Sequence, residues 1–168
     1  MKKLLLILLC LPMIGFGQTT TKKEYYENGN LSLEWSWNNK NQKHGTWKVY
    51  YKTGQIEYEK NYSNGKLNGK TRLWYRNGQQ KSEWNHENDN MHGVFKDWYE
   101  NGQLSFEENW KNGREHGITK SWYQNGQLER EADYTVGTLN YESCWDEKGE
   151  KVYCNRFDGR PMQSPPPD

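Results

Sequence analysis

The sequence predicts an all-β protein, thin and built from tandem hairpins. Three observations point there. Tryptophan and tyrosine are abundant, 9 and 12 in 168 residues, while Leu, Ile and Val are few, which leaves no material for a thick aliphatic core. The aromatics are evenly spaced between Gly and Asn, which is the chemistry of strands and turns rather than of a disordered chain. Glycines recur in register at Gly29, Gly54, Gly78, Gly102, Gly126 and Gly149, with steps of 25, 24, 24, 24 and 23 residues. Periods of this size mark repeat arrays. No helical periodicity interrupts them.

The first element stands apart from the fold. Lys2 and Lys3 form a basic start, Leu4 to Leu11 an apolar run, and Pro12 to Gly17 a small-residue exit. That is the pattern of a secretory signal peptide, too short and wrongly flanked for a membrane span. Gly15 and Gly17 occupy the two small-residue positions before a cut, so residues 1–17 are expected to be removed and the mature chain to begin at Gln18. Cys10 follows Leu9, where lipoprotein processing wants a small side chain, so no lipid anchor is expected. A periplasmic or secreted location follows. The 23 basic and 22 acidic residues nearly cancel, and loss of Lys2 and Lys3 leaves the chain weakly acidic. Without a basic run it lacks the electrostatic footprint of a nucleic-acid binder.

Residues 18–24 read as a lead-in, and the repeat domain as residues 25–159, about six hairpins. Each unit runs from a second glycine column (Gly45, Gly69, Gly93, Gly117) to an aromatic pair, then an Asn-Gly or similar dipeptide, then a second strand. A third column holds Gly65, Gly113 and Gly137. Asn-Gly between strand-like segments predicts a two-residue turn with both residues at positive φ. A two-residue loop sets Arg76 against Gln79, Tyr75 against Gln80, Trp74 against Lys81 and Arg72 against Glu83. The same register sets Lys23 against Glu34, Lys48 against Glu59, Lys96 against Glu107 and Lys120 against Glu131. Every one of these hairpins thus places a base across from a glutamate, a pairing worth roughly 0.2–1 kcal/mol that fixes register more than it adds stability.

Alternation then sorts the faces. One carries Tyr51, Tyr75, Tyr99 and Tyr123 with Ile56, Leu104, Leu128, Tyr62, Trp110 and Tyr134, and is expected to be the packed face. The other carries the charge ladder and the column Tyr25, Tyr50, Trp74, Trp98, Trp122. In the last unit Val152 stands three residues beyond Gly149, not two as in the other units. One extra loop residue would set Glu147 against Lys151, Trp145 against Tyr153, Cys144 against Cys154 and Glu142 against Arg156. An exported cysteine pair ten residues apart reads as a disulfide. The tail, residues 160–168, is proline-rich; it cannot join a sheet and is expected to sample polyproline II.

The stretches "SNGKLNG" (Ser63–Gly69) and "KNGREHG" (Lys111–Gly117), set between strands ending in "WYxNGQL", resemble the variant MORN repeat of bacterial proteins, including those labelled YwqK-type antitoxins. The resemblance implies an elongated, twisted antiparallel sheet to which each repeat of about 24 residues adds a hairpin. It also implies an interaction role: contact with proteins or a membrane surface, scaffolding, or a homodimer. The aromatic-Asn-Gly pattern is similar, too, to the shorter hairpin repeats of secreted choline- and glucan-binding modules.

Residues that could carry chemistry are few. His44, His92 and His116 share a column before the second-column glycines. Neighbouring repeats lie two strand spacings apart, about 9.6 Å, too far for these histidines to share a metal at about 2 Å. The glutamate column has the spacing of paired catalytic carboxylates, but each glutamate faces its own base, which favours ionisation in all of them alike. No catalytic residue, metal or cofactor is expected. Tyr50, Trp74, Trp98 and Trp122 form a row of aromatic platforms at repeat spacing, the candidate ligand-binding surface. The expected function is that of an exported, non-enzymatic module binding a protein or an envelope polymer, with a carbohydrate- or cell-wall-binding module and a dimerising scaffold as the alternatives.

Overall fold

The structure is a computed structural model, and it describes residues 19–154. The leader with its cleavage point and Cys10, residues 155–159 with Arg156, and the tail 160–168 lie outside the described residues.

The described residues hold fourteen β-strands and no helix: β1 (Thr20–Tyr25), β2 (Leu31–Trp37), β3 (Gly45–Tyr50), β4 (Ile56–Ser63), β5 (Lys66–Trp74), β6 (Gln80–Glu87), β7 (Asn90–Met91), β8 (Gly93–Trp98), β9 (Leu104–Lys111), β10 (Arg114–Glu115), β11 (Gly117–Trp122), β12 (Leu128–Thr135), β13 (Thr138–Trp145) and β14 (Lys151–Val152). They form one open antiparallel sheet in chain order. The short β7 and β10 extend the pairing of β6 and β9 ahead of β8 and β11. Strand β1 takes in residues 20–24, which the sequence analysis assigns to a lead-in. Lys23 already meets Glu34 there, so the first hairpin is complete.

Two kinds of turn occur along the sheet, and the two-residue loop expected after each aromatic pair is not the kind found there. After each aromatic pair the loop has three residues, not two. Tyr75 N–H donates to the Gln79 carbonyl and Gly78 N–H to that of Tyr75, both within 3.0 Å. Only Gly78 has positive φ, 87°; Asn77 does not. This is a type I turn closed by a left-handed glycine. Asn77 is held in it by its side chain, which accepts from Gln79 N–H at 2.9 Å and donates to the Glu100 carbonyl of the next repeat at 3.0 Å. The true two-residue turns join the later repeats, where both residues have positive φ: Asn64 and Gly65, Asn88 and Asp89, Asn112 and Gly113, Val136 and Gly137; the β2–β3 loop instead repeats the three-residue form, with Asn41 at φ 58°.

The longer loop moves the near-turn pairs by one, so Trp74 faces Gln80 rather than Lys81, and Tyr75 bonds Gln79 rather than facing Gln80. A one-residue bulge then restores the expected register, with Leu73 opposite Ser82 and Arg72 opposite Glu83. In the first, second, fourth and fifth hairpins the expected pairs Lys23–Glu34, Lys48–Glu59, Lys96–Glu107 and Lys120–Glu131 are present for the same reason.

The packed face is the one opposite the charge ladder, but Ile56, Leu104 and Leu128, expected on it, stand across the bulge from Tyr50, Trp98 and Trp122. Ala132, Thr71, Ser82, His86, Glu108 and Thr119 are the buried residues, and each is an odd number of positions from a ladder residue. Burial on it is mostly polar, with Ala132 the sole apolar member among the described residues.

Candidate functional site

The base–glutamate pairs do not stop at the hairpins. Glu34 also faces Lys48, Glu59 faces Arg72, Glu83 faces Lys96 and Glu107 faces Lys120 across the strands that join one repeat to the next. One row of strictly alternating sign therefore crosses the sheet from Lys23 to Glu131. Its closest contacts are Arg72 Nε to Glu83 at 2.7 Å, Lys96 to Glu107 at 3.0 Å, Lys120 to Glu131 at 3.1 Å and Lys23 to Glu34 at 3.3 Å. Arg72 also reaches back to Glu59 at 3.4 Å, and Lys70 joins Glu83 at 2.7 Å. For Glu83, burial alone would raise the carboxyl, but the hydrogen bonds from Lys70 and Arg72 outweigh it and hold the group below its ordinary value.

The candidate platforms sit beside this row. Tyr50 shares its face, since its hydroxyl donates to Glu34 Oε2 at 3.2 Å. Trp74, Trp98 and Trp122 hold the equivalent positions at the ends of β5, β8 and β11, and like Tyr50 they are half-buried. Tyr25, the first of the column, is 62 % exposed on the edge strand. Among the described residues none of these rings contacts another aromatic ring. Their backbones, in contrast, are tightly held. Tyr51 Oη donates to the Trp74 carbonyl at 2.6 Å, Tyr75 to that of Trp98 and Tyr99 to that of Trp122, both at 2.7 Å. Tyr26 begins this series on the Tyr50 carbonyl at 2.5 Å, and Tyr123 ends it on the Trp145 carbonyl at 3.0 Å. The tyrosine column thus ties each repeat to the next, a role the sequence analysis misses because it needs the reach between repeats.

A second aromatic group, not anticipated, lies on the opposite face. Trp35 stacks on Trp47 at 5.9 Å, and Trp47 meets Tyr62 at 6.1 Å. Lys43 Nζ lies 4.7 Å from the Trp47 ring centre, and Lys60 Nζ 5.0 Å from that of Tyr58. Farther along the same face Trp84 meets Phe95 at 5.7 Å, and Phe95 meets Phe106 at 6.1 Å. The histidine column has local duties: His44 Nδ1 accepts from Asn64 N–H at 3.3 Å, and His92 and His116 bond through their backbones to Asn85 and Asn109.

Cys144 and Cys154 form a disulfide, with Cα atoms 5.2 Å apart. The register differs from the expected one: Trp145 faces Lys151 and Cys144 faces Val152. The final loop is the same three-residue turn as in the other units, so no residue is added to it. Cys154 instead reaches back from beyond the end of β14.

No curated protein matches the chain. The profile of the MORN repeat variant matches residues 18–39, 43–64, 91–112 and 115–135, together just over half of the chain. Each match covers one hairpin with its three-residue turn, and β5 with β6, between the second and third matches, repeats the same turn and ladder pair. The chain belongs to the MORN repeat variant family.

Proposed function

We propose that the protein is an exported module that binds an extended protein or envelope polymer along its charge-ladder face, with Tyr50, Trp74, Trp98 and Trp122 as the platform. Repeats of this family generally serve as protein- or membrane-binding modules. The observation that carries the reading is the contrast within each platform residue: its backbone is pinned by a tyrosine of the preceding repeat, while its ring is left without an aromatic partner. Rigid, half-exposed rings recurring about 10 Å apart suit an extended ligand better than a compact one. The disulfide and the leader pattern of residues 1–17 support export. YwqK-type kinship is the narrower family reading, and a carbohydrate-binding module and a dimerising scaffold are the alternative functions.

The test is binding by the mature chain to proteins captured from its own envelope and to purified cell-wall polysaccharide, measured beside Trp98→Ala. Loss of that ring is expected to weaken binding by roughly 1–3 kcal/mol, the size of an aromatic hot spot, with little change in melting temperature. Unchanged affinity in Trp98→Ala would sink the proposal, as would collapse of the fold. Capture by polysaccharide alone selects the carbohydrate alternative, and a concentration-dependent mass with no ligand selects the scaffold.

A further inference from the structure

Every glutamate of the alternating row meets a base, but on the opposite face Glu108 and Asp97 form no ion pair among the described residues. Glu108 in β9 is 9 % exposed, and Oδ1 of Asp97 in β8 is buried without a hydrogen-bond partner. Among the described residues no Lys, Arg or His lies within ion-pair distance of either carboxylate. Burial pushes both carboxyls up from their ordinary values, and at Asp97 it outweighs a hydrogen bond from Ser82 and the charge of Lys81. For Glu108 the nearest charges, Glu115 and Asp97, push further in the same direction. Trp110 is the one group that opposes them, its indole N–H turned toward Glu108 but short of hydrogen-bond geometry.

The neighbours of Glu108 follow from the register. Phe95 stands opposite it on β8, and Thr119 on its other side, one step from the Lys120–Glu107 pair. Phe106 and Trp110 flank it along β9 on the same face. Gly93 faces Trp110 from β8, and Glu115 of β10 pairs with it on the other side, which adds a further carboxylate beside the indole. Thr119 is 3 % exposed, and its Oγ1 has no hydrogen-bond partner.

A buried carboxylate without a counter-charge is costly, so this arrangement is completed by a ligand that brings the charge. Acceptors at Glu108, Asp97 and Thr119 call for a ligand rich in N–H donors. Aromatic faces at Phe95, Phe106 and Trp110 attract a cation through their ring quadrupoles. A bare metal ion fits poorly, because no three His, Cys, Asp or Glu among the described residues are grouped to hold one. We propose that this aromatic-lined acidic patch on β8, β9 and β11 binds an organic cation, an alkylammonium or guanidinium group. The group is either the end of a lysine or arginine side chain on a partner polypeptide or a free small amine. The site lies on the face away from the proposed platform, and the two stand or fall separately.

The test uses the full chain at fixed ionic strength, followed by tryptophan fluorescence and calorimetry. The probes are butylammonium, butylguanidinium and capped short peptides carrying a single Lys or Arg, with the norleucine peptide as the neutral control. Saturable binding by at least one cation and none by the control is expected. Tighter binding by a peptide marks a polypeptide source, and equal binding by the free cation marks a small amine. Glu108→Gln should weaken binding at least tenfold while its melting temperature holds or rises, because an uncompensated buried charge has been removed. Asp97→Asn should weaken binding as well, and it decides the matter if Glu108→Gln does not fold. No saturable binding by any cation would overturn the proposal, and so would wild-type affinity in a folded Glu108→Gln or, in that last case, in Asp97→Asn.

Discussion

Tyr75 illustrates how one atom can join two repeats. Its hydroxyl donates to the carbonyl of Trp98, at the end of β8 in the next repeat. Tyr75→Phe keeps the ring and removes only the donor, so it should cost about 1 kcal/mol in urea or guanidinium melts. Trp98→Ala leaves that bond in place, since the acceptor is backbone. Two glutamates make the complementary point about charge. Glu83 is held below its ordinary value by Lys70 and Arg72, so the stability it contributes is present above the unfolded carboxyl range and is lost as pH falls through its folded value. Glu108 is raised by burial, so its contribution has the opposite sign: present at low pH and lost as pH rises through its folded value. Glu83→Gln should therefore lower the melting temperature at neutral pH, and Glu108→Gln should raise it. Both differences should shrink below about pH 4, where unfolded glutamates protonate. Melts across that range check it, and equal signs for the two variants would refute the contrast. The sequence register sets Glu107 against Lys96 but gives no sign that Glu108 is buried among aromatic rings. The pairing adds that Glu107 also faces Lys120, while Glu108 faces Phe95.

At the scale of the element, the ladder was legible because it follows from the two-residue alternation of strands and from complementary charge, neither of which needs tertiary detail. The turns were not, because the same Asn-Gly dipeptide stands in both columns. In one the Asn is held out of the left-handed region by hydrogen bonds that include the next repeat, and in the other it enters that region. Val136 tests this reading. It stands at φ 50° where the equivalent turns have Asn64, Asn88 and Asn112, and a β-branched side chain is strained there. Val136→Asn should stabilise the protein by about 1 kcal/mol, and a loss in thermal or chemical melts would mean that its side chain supplies contacts worth more than the strain. The ladder gives a second test. Arg72→Glu should destabilise more than Arg72→Ala, because it places like charges against both Glu59 and Glu83. Adding Glu83→Arg should rescue only part of the loss, since the exchanged pair still faces Glu59 on one side and Lys70 on the other. Equal losses for the two Arg72 substitutions at low salt, with no rescue, would show that the row does not set register.

At the scale of the molecule, each hairpin touches only its neighbours, so stability is expected to be distributed along the array rather than concentrated in one core. The two ends are then the weak points, and they are built differently. Strand β1 is exposed along its whole length but pairs with β2 at every residue from Thr20 to Glu24, and carries Lys22 and Lys23, the kind of charge that discourages a further strand from adding to an open edge. Among the described residues strand β14 pairs with β13 at only Cys144 and Trp145, too few contacts to hold a strand in water. The disulfide from Cys144 to Cys154 compensates by closing the last turn covalently. A loop of this size is worth roughly 2–3 kcal/mol of closure entropy, and in a repeat array that stabilisation stays local. Reduction should therefore speed amide exchange in residues 146–154 on the order of a hundredfold, while β5 and β6 keep their protection. Hydrogen-exchange mass spectrometry of the oxidised and reduced chain reads both regions at once. Equal protection of residues 146–154 in the two states would show that the ladder alone secures the end. A uniform loss from β1 to β13 would instead show that the sheet unfolds as one unit, contrary to an array of semi-independent repeats.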